Sequence, residues 1–414
     1  MVETANAARV ARTNEIGLNV VPAAARAPRA AASSGSETKT APPRLADIAV
    51  DQWRALADRT AEPNCYYLPE WARAVNEISR GRANIGALAA YDDTGKNLIG
   101  LMPAVSAWHA YRLPLPAFVN AADVWAPLGT IMLDSHKADE AAAMLMQRAR
   151  AAGAHALILR DTPLQGAVMR SFTRVLTRTG QRPAILQSHE RAALDATRNA
   201  EDLLREALGA KKLKELRRQR NRLAEIGDVV LTIASTVGEA MPALEVFLQL
   251  EASGWKARRG TALIQNENEV ASIRRIVRDM SSSGRCKIVS LYAGETPVAA
   301  AIVVRHLDRA FYFKLGVNER FAKFSPGVQL TLDLTRHLCA DETVSSVDST
   351  AIPGHPMIDP IWRGRLSIGD VLIPLYRRDP LIAAIHAALS AHRLLRNSAR
   401  RLVHFIREMK EKRS

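Results

Sequence analysis

Residues 300–350 read AAIVVRHLDRAFYFKLGVNERFAKFSPGVQLTLDLTRHLCADETVSSVDST, and the rest of the chain can be arranged around them. Ala299 to Val304 is an apolar run that ends in a polar turn at His306 to Asp308. Ala310 to Val317 carries Phe311, Tyr312, Phe313 and Val317 and predicts a buried strand. A polar loop with Arg320 and Lys323 follows, from Asn318 to Phe324. Ser325-Pro326-Gly327 then opens a helix marked by Val328, Leu330, Leu332, Leu334 and Leu338, with Ser325 as N-cap and Pro326 as first helical residue. Val344 to Thr350 predicts another strand, ending at Asp348. The order is strand, strand, loop, helix, strand.

The loop before this helix carries the functional expectation. A helix N-terminus presents free backbone N–H groups and the positive end of its dipole, which suits phosphate. Gly327 adds no side chain and so leaves room for a ligand at the backbone. Arg320 and Lys323 add positive charge. Arg320, Lys323, Ser325, Pro326, Gly327 and Val328 are therefore the candidate cofactor-binding set, suited to a nucleotide-like group. The plainer alternative is an ordinary helix start after a turn.

The chain has 414 residues, enough for two domains and tails. It is 48% hydrophobic and 24% charged, as expected of a globular protein with real cores. The formal charge of +15 points to an anionic partner: CoA, nucleic acid, acidic glycan or anionic membrane. Cys65, Cys286 and Cys339 are too few and too scattered for a disulfide framework or a zinc site, so no metal is expected and a reduced cytoplasm is the expected setting. No apolar run is long enough for a membrane span.

Residues 1–44 contain no aromatic residue and read as a disordered tail, faintly like an organellar transit peptide. A first mixed α/β region covers 45–195. Its helices are expected from Asp51, Pro69, Ala138 to Ala152 and Gln165 to Thr179. Its strands are expected at Ile85 to Tyr91 and Leu98 to Val105, a hairpin around Asp92–Gly95, and also at Trp125 to Leu133 and Ala156 to Arg160. A second region covers 199–380. It opens on a basic helix, Asn199 to Ile226, whose residues 211–222 carry seven Lys and Arg and only Glu215 as an acid. That face is either merely solvated or aimed at an anion. Val229 to Ala234 predicts a strand, Ala240 to Ser253 and Glu269 to Ser282 helices, and Lys287 to Tyr292 a hairpin with Val298 to Val304. Residues 381–414 form a basic amphipathic helix. It suits packing on the body, a homodimer, or an anionic membrane surface.

Several pieces together resemble the GNAT acyltransferase superfamily, in the branch of CelD-type cellulose-biosynthesis proteins and relatives of the Fem peptidoglycan aminoacyltransferases. In the second region these are LRRQRNRLAEIGDV, LEASGWKARRGTAL, GETPVAAAIVV, FYFKLGVNERFAKFSPGVQL and VDST. In the first they are AEPNCYYLPEW, LIGLMPAV and WAPLGTIML. The resemblance implies an α/β (α+β) fold of two tandem GNAT-like domains, each a mixed central sheet flanked by helices, plus the C-terminal basic helix. It also implies an acyl-CoA donor, acetyl-CoA in the first instance, and an amine acceptor. Residues 325–327 take the place of the superfamily's glycine-rich pyrophosphate loop, but hold one glycine where two are usual. That leaves room for an aminoacyl-tRNA donor. The first region has no such loop and is expected to bind no cofactor and to shape the acceptor groove.

The chemistry asks for a held thioester, an amine that loses a proton and a thiolate that leaves. His355 and Asp348 are the candidate catalytic residues, against turn-packing and capping roles respectively. Trp255 and Lys256 match a family motif and are expected to line the substrate site. Tyr312 or Tyr376 would protonate the thiolate. The expected function is a cytoplasmic N-acyltransferase, peripheral at the inner face of the membrane if the tail binds lipid. It would act on an amino sugar or a related polysaccharide or envelope precursor, as a small-molecule or glycan amine. The rivals are an aminoacyl-tRNA-dependent transferase and a non-catalytic basic protein on nucleic acid or membrane.

Overall fold

A computed structural model describes residues 42–78, 85–254, 260 and 262–411. The N-terminal half runs α1 (Val50–Ala57), α2 (Pro69–Ile78), β1 (Gly86–Tyr91), β2 (Leu98–Ser106), α3 (Ala107–Tyr111), β3 (Ala117–Asn120), β4 (Met132–Leu133), α4 (Ala138–Ala151), β5 (Ala156–Pro163), α5 (Ala167–Thr177) and β6 (Ala184–Asp195). The C-terminal half runs α6 (Ala200–Leu223), β7 (Val229–Ala234), α7 (Val237–Ala252), α8 (Glu267–Ser282), β8 (Cys286–Ala293), β9 (Thr296–His306), β10 (Arg309–Val317), α9 (Pro326–Cys339), β11 (Ser346–Asp348), β12 (Gly364–Pro374) and α10 (Pro380–Glu411).

All described strands join one mixed twelve-stranded sheet, in the order β1-β2-β3-β5-β12-β6-β11-β10-β9-β8-β7, with β4 beside β2. Two pairs are parallel, β3 with β5 and β10 with β11; the other pairings are antiparallel. β12 lies between β5 and β6, so a strand from the end of the chain completes the sheet of the first half.

One continuous core lies under α1, α2, α4, α5, α7 and α8, with Trp53, Trp71, Phe172, Phe247 and Ile273 among its members. The other face is covered in two patches. Leu204 and Leu216 of α6 and Leu330 of α9 cover the C-terminal half. α3 and the start of α10 cover the N-terminal half, where Ile385 and Leu389 are buried. Farther along α10, Leu394 and Leu395 are exposed. No described helix is long and apolar enough to cross a membrane.

The halves are pinned by buried polar contacts. His306 Nδ1 accepts from the Asn64 N–H at 2.9 Å, and Nε2 donates to the Ala57 carbonyl at 3.0 Å. This needs the neutral ring. Burial pushes the His306 pKa down to about 4.

Three sequence expectations change. Of the Trp125 to Leu133 segment only Met132–Leu133 is a strand. The backbone N–H groups of Trp125 and Ala126 instead bond to Asp123 Oδ1 in a turn. The strand ending at Asp348 shortens to Ser346–Asp348. Ser325 occupies the N-cap position, but its hydroxyl makes no cap bond. A 3-10 turn, Glu319–Phe324, closes on the Ser325 N–H and holds the residue at φ 54°, ψ 52°. Its carbonyl starts α9 by accepting from the Gln329 N–H.

Candidate functional site

β10 is paired along its length with β9, but β11 follows it only through Arg309↔Ser346, Ala310↔Val347 and Phe311↔Asp348. From Tyr312 to Val317 the edge of β10 on that side has no neighbouring strand among the described residues. A hydrogen bond from Thr350 Oγ1 to the Tyr312 carbonyl, 2.7 Å long, spans the start of the opening, and Thr350 has φ 51°. A β-bulge at Phe313 falls just there, between Tyr312↔Val303 and Lys314↔Ile302. The extra residue puts Phe313 and Lys314 on one face of the sheet. Phe313 meets Trp71 edge-on at 4.8 Å, and Lys314 Nζ sits 5.4 Å from the Phe313 ring. Tyr312, Leu315 and Val317 face α9.

Two glycines let helices close on β10. A methyl group on Gly316 would come within 2.9 Å of the Glu251 nitrogen in α7. One on Gly327 would come within 3.1 Å of Leu315 and Val317 and 3.3 Å of Met357. Gly327 is buried, so its missing side chain serves helix–sheet packing rather than leaving space for a ligand. That corrects the sequence reading of this residue. Pro326 is also buried, Ser325 and Val328 are half-buried, and Arg320 and Lys323 are exposed, with Lys323 Nζ over the Phe324 ring at 4.9 Å. The first turn of α9 holds no acid. Its start therefore faces the mouth of the opening with positive potential.

α6 runs beside α9. Gln329 Nε2 donates to the Leu216 carbonyl at 2.9 Å, and Arg220 pairs with Asp333 at 2.8 Å. Four residues on each helix separate these contacts, so the two run parallel. One turn before Leu216, Lys212 lies level with Ser325. α6 is broken at Gly209, with φ 70°, and the basic run belongs to the segment after the break. Lys212 pairs with Glu215. Lys211, Lys214, Arg217, Arg218 and Arg222 are exposed and make no ion pair among the described residues.

Asp348 closes the floor of the opening. It is 1% exposed and pairs with Arg191 of β6 at 3.1 Å. Arg191 also donates to the Pro127 carbonyl at 2.8 Å, and Asp348 accepts from the Thr350 N–H at 2.8 Å. This buried pair ties both halves to the strand ends, a positioning arrangement more than a free base. The Tyr66 hydroxyl is buried nearby with no partner at hydrogen-bond geometry among the described residues, and its ring lies 5.5 Å from Phe311. Burial, with the Cys65 and Asp348 charges adding to it, drives the Tyr66 pKa well above the ordinary range.

His355 sits half-buried in a turn whose Met357 packs on Gly327. Its Nδ1 accepts from the Met357 N–H at 3.3 Å. A neutral ring bonded in this way carries its proton on Nε2 and has no free lone pair. Tyr312 turns its hydroxyl toward Thr331 of α9, 3.3 Å away. Tyr376 packs against His155 beyond the end of β12 and does not belong to the opening. Trp255 and Lys256 lie outside the described residues. Arg191 and Tyr66 were missed in the sequence: Arg191 lies in no motif, and Tyr66 lies in AEPNCYYLPEW, which was read only as a piece of the resemblance.

On the Lys314 face a cavity of about 750 Å³ lies between Val124 and Trp125 of the first half and Ala262, Asn266 and Glu269 of the second. Among the described residues, no group of three or more His, Cys, Asp or Glu could hold a metal. The three cysteines are free.

Residues 210–355, from just after the break in α6, match the family model "Acetyltransferase (GNAT) domain". No curated protein sequence matches the chain. Among solved structures, FemX is similar at 11% identity and a TM-score of 0.53, over 82% of this chain and 98% of that one. A conserved protein of unknown function from Bacteroides thetaiotaomicron VPI-5482 is similar at 12% identity and a TM-score of 0.51, over 80% and 98%. At these identities the likeness is one of fold. The mixed α/β sheet flanked by helices is a GNAT-type fold, and the opening lies inside the matched stretch.

Proposed function

We propose that this protein is an acyl-CoA-dependent N-acyltransferase acting on an amine of the amino-sugar or envelope-precursor class. One observation carries the reading: β10 and β11 part beside the acid-free start of α9. The free edge of β10 offers backbone N–H and carbonyl groups to an extended, amide-bearing arm, as an added strand would use them. The start of α9, with Arg320 and Lys323, offers charge to phosphates. The donor then belongs to residues 199–380. Residues 45–195 form one wall of the acceptor cavity, where Glu267 and Glu269 favour an ammonium group. The amine nitrogen bonds to the thioester carbon, the C–S bond breaks, and the thiolate takes a proton. That proton is the one the amine lost; Tyr66 holds its own too tightly to supply it. Asp348 and Arg191 keep the strand ends in place. His355 is the proton acceptor for the amine once its turn releases the Met357 N–H.

The test is titration calorimetry and thermal shift with acetyl-CoA. Saturation at a hundred times Kd should stabilise the fold by about 2.7 kcal/mol. No heat and no shift with any CoA thioester would overturn the reading. A second reading, an aminoacyl-tRNA donor, is favoured by the unpaired cations of α6 beside the same opening. It predicts tRNA binding that falls steeply with salt.

A further inference from the structure

A second cavity, of about 400 Å³, lies far along the sheet from the opening, between α10 and strands β5, β6 and β12. Arg160, Tyr111, Asp161 and Asp370 line it from the body, and His392 and Arg396 from α10. The Arg160 guanidinium lies over the Tyr111 ring at 6.0 Å and makes no hydrogen bond or ion pair with any described residue. Five donors are thus left facing a space of small-molecule size. Asp161 beside it is held at φ 48°, a conformation that non-glycine residues adopt only where the surroundings enforce it. Its N–H donates to Asp370 Oδ1 at 3.0 Å, and Gln187 donates to Oδ2 at 2.6 Å, so the Asp370 carboxyl is already satisfied. Arg393 is engaged with the Leu186 carbonyl.

We infer that this cavity binds a small singly charged oxyanion, a carboxylate or a phosphate group, gripped by Arg160 and closed over by His392 and Arg396. A guanidinium fork matches two oxygens of such a group. Asp161 and Asp370 in the same lining offset most of the arginine charge, which favours a monoanion over a polyanion. Because the cationic residues come from both the body and α10, an occupied site fastens the helix to the sheet. The inference is independent of the proposed acyl transfer.

The experiment uses the full chain and two probes, acetate and inorganic phosphate, titrated at constant ionic strength with chloride as the reference anion. Saturable binding of at least one is expected, the tighter of the two naming the source, together with slower amide exchange over Ser390–Arg396. Arg160→Gln should weaken it roughly tenfold or more, the scale of a lost charge-assisted pair. Arg396→Gln, at an exposed position that does not threaten the fold, should weaken it about threefold. The idea is overturned if neither probe saturates, or if a folded Arg160→Gln protein binds as the parent does. Should Arg160→Gln not fold, unchanged affinity in Arg396→Gln overturns it equally.

Discussion

The molecule contains two versions of one arrangement, a parallel strand pair with a helix reached from its first strand. In the C-terminal half β10 and β11 part after Asp348, and a short connection, residues 318–325, leads to an acid-free start of α9. In the N-terminal half β3 and β5 are closed where the other pair opens. Asn120 donates to the Gly129 and Arg160 carbonyls at 2.7 and 2.9 Å and accepts from the Arg160 N–H at 2.7 Å. The longer connection, residues 121–137, leads to α4, whose first turn holds Asp139 and Glu140. Even the backbone repeats: each pair is followed within three residues by a non-glycine at positive φ, Thr350 and Asp161. The same scaffold is left open beside positive potential in one half. In the other it is plugged by an amide beside acids. Whether such a strand pair stands open or closed is therefore set by a few side chains at the strand ends, not by the sheet.

The largest expected effect comes from breaking what pins the open pair. Arg191→Met strands the buried Asp348 carboxylate and should cost about 3–5 kcal/mol in urea unfolding. The matching change in the closed pair, Asn120→Leu, takes away the bonds it makes to the Gly129 carbonyl and the Arg160 N–H, leaves the Arg160 carbonyl with Thr162 Oγ1 alone, and should cost about 3 kcal/mol. It should leave acetyl-CoA affinity unchanged in whatever remains folded. If Asn120→Leu instead abolishes binding at full stability, the two pairs are not independent.

Acid should then loosen the halves. The folded-state pKa of His306 lies below its unfolded value, so its contribution is fully present above pH 6.5 and is lost as pH falls from there toward 4. The loss should reach about 3 kcal/mol. His306→Gln should flatten that part of the urea-midpoint profile; an unchanged profile would assign the acid sensitivity elsewhere.

Grafting the acid of α4 onto α9 is a sharper probe with a smaller effect on stability. Val328→Glu gains up to about 1 kcal/mol from the helix dipole and loses part of the valine packing, so the melting temperature should barely move. Donor affinity should fall roughly tenfold or more by like-charge repulsion with phosphate. Equal affinity by calorimetry would show that the helix start does not face the donor. The smallest effect belongs to Arg320→Ala. One exposed charge contributes up to about 1 kcal/mol, so binding should weaken only a few-fold, and less at high salt.

The hairpin β8–β9, strand β10 and helix α9 were legible because apolar period, turn residues and a proline start agree locally. The central strands β6 and β12 were not. β6 carries Gln187, Ser188, His189 and Glu190 in a row, and both strands find partners far away in the chain. At the site, Asp348, His355 and the loop cations were reached from spacing and resemblance, and the structure sets the first two beside the opening. Arg191 was invisible because its meaning comes from Asp348, 157 residues on. Gly327 was misread because a glycine at a helix start looks alike whether it makes room for a ligand or for the side chains of the strand beneath.

The insertion of β12 between β5 and β6 also sets a timetable for biosynthesis. When β6 leaves the ribosome, β5 and β6 have no partner between them until Pro374 emerges. At roughly 5–20 residues per second that wait is on the order of 10–35 s. Through most of that interval the nascent chain exposes one edge of β5 and both edges of β6, the kind of surface that recruits chaperones or aggregates. A message cut between β6 and β12 would release not a smaller folded protein but a sheet with a slot in its middle.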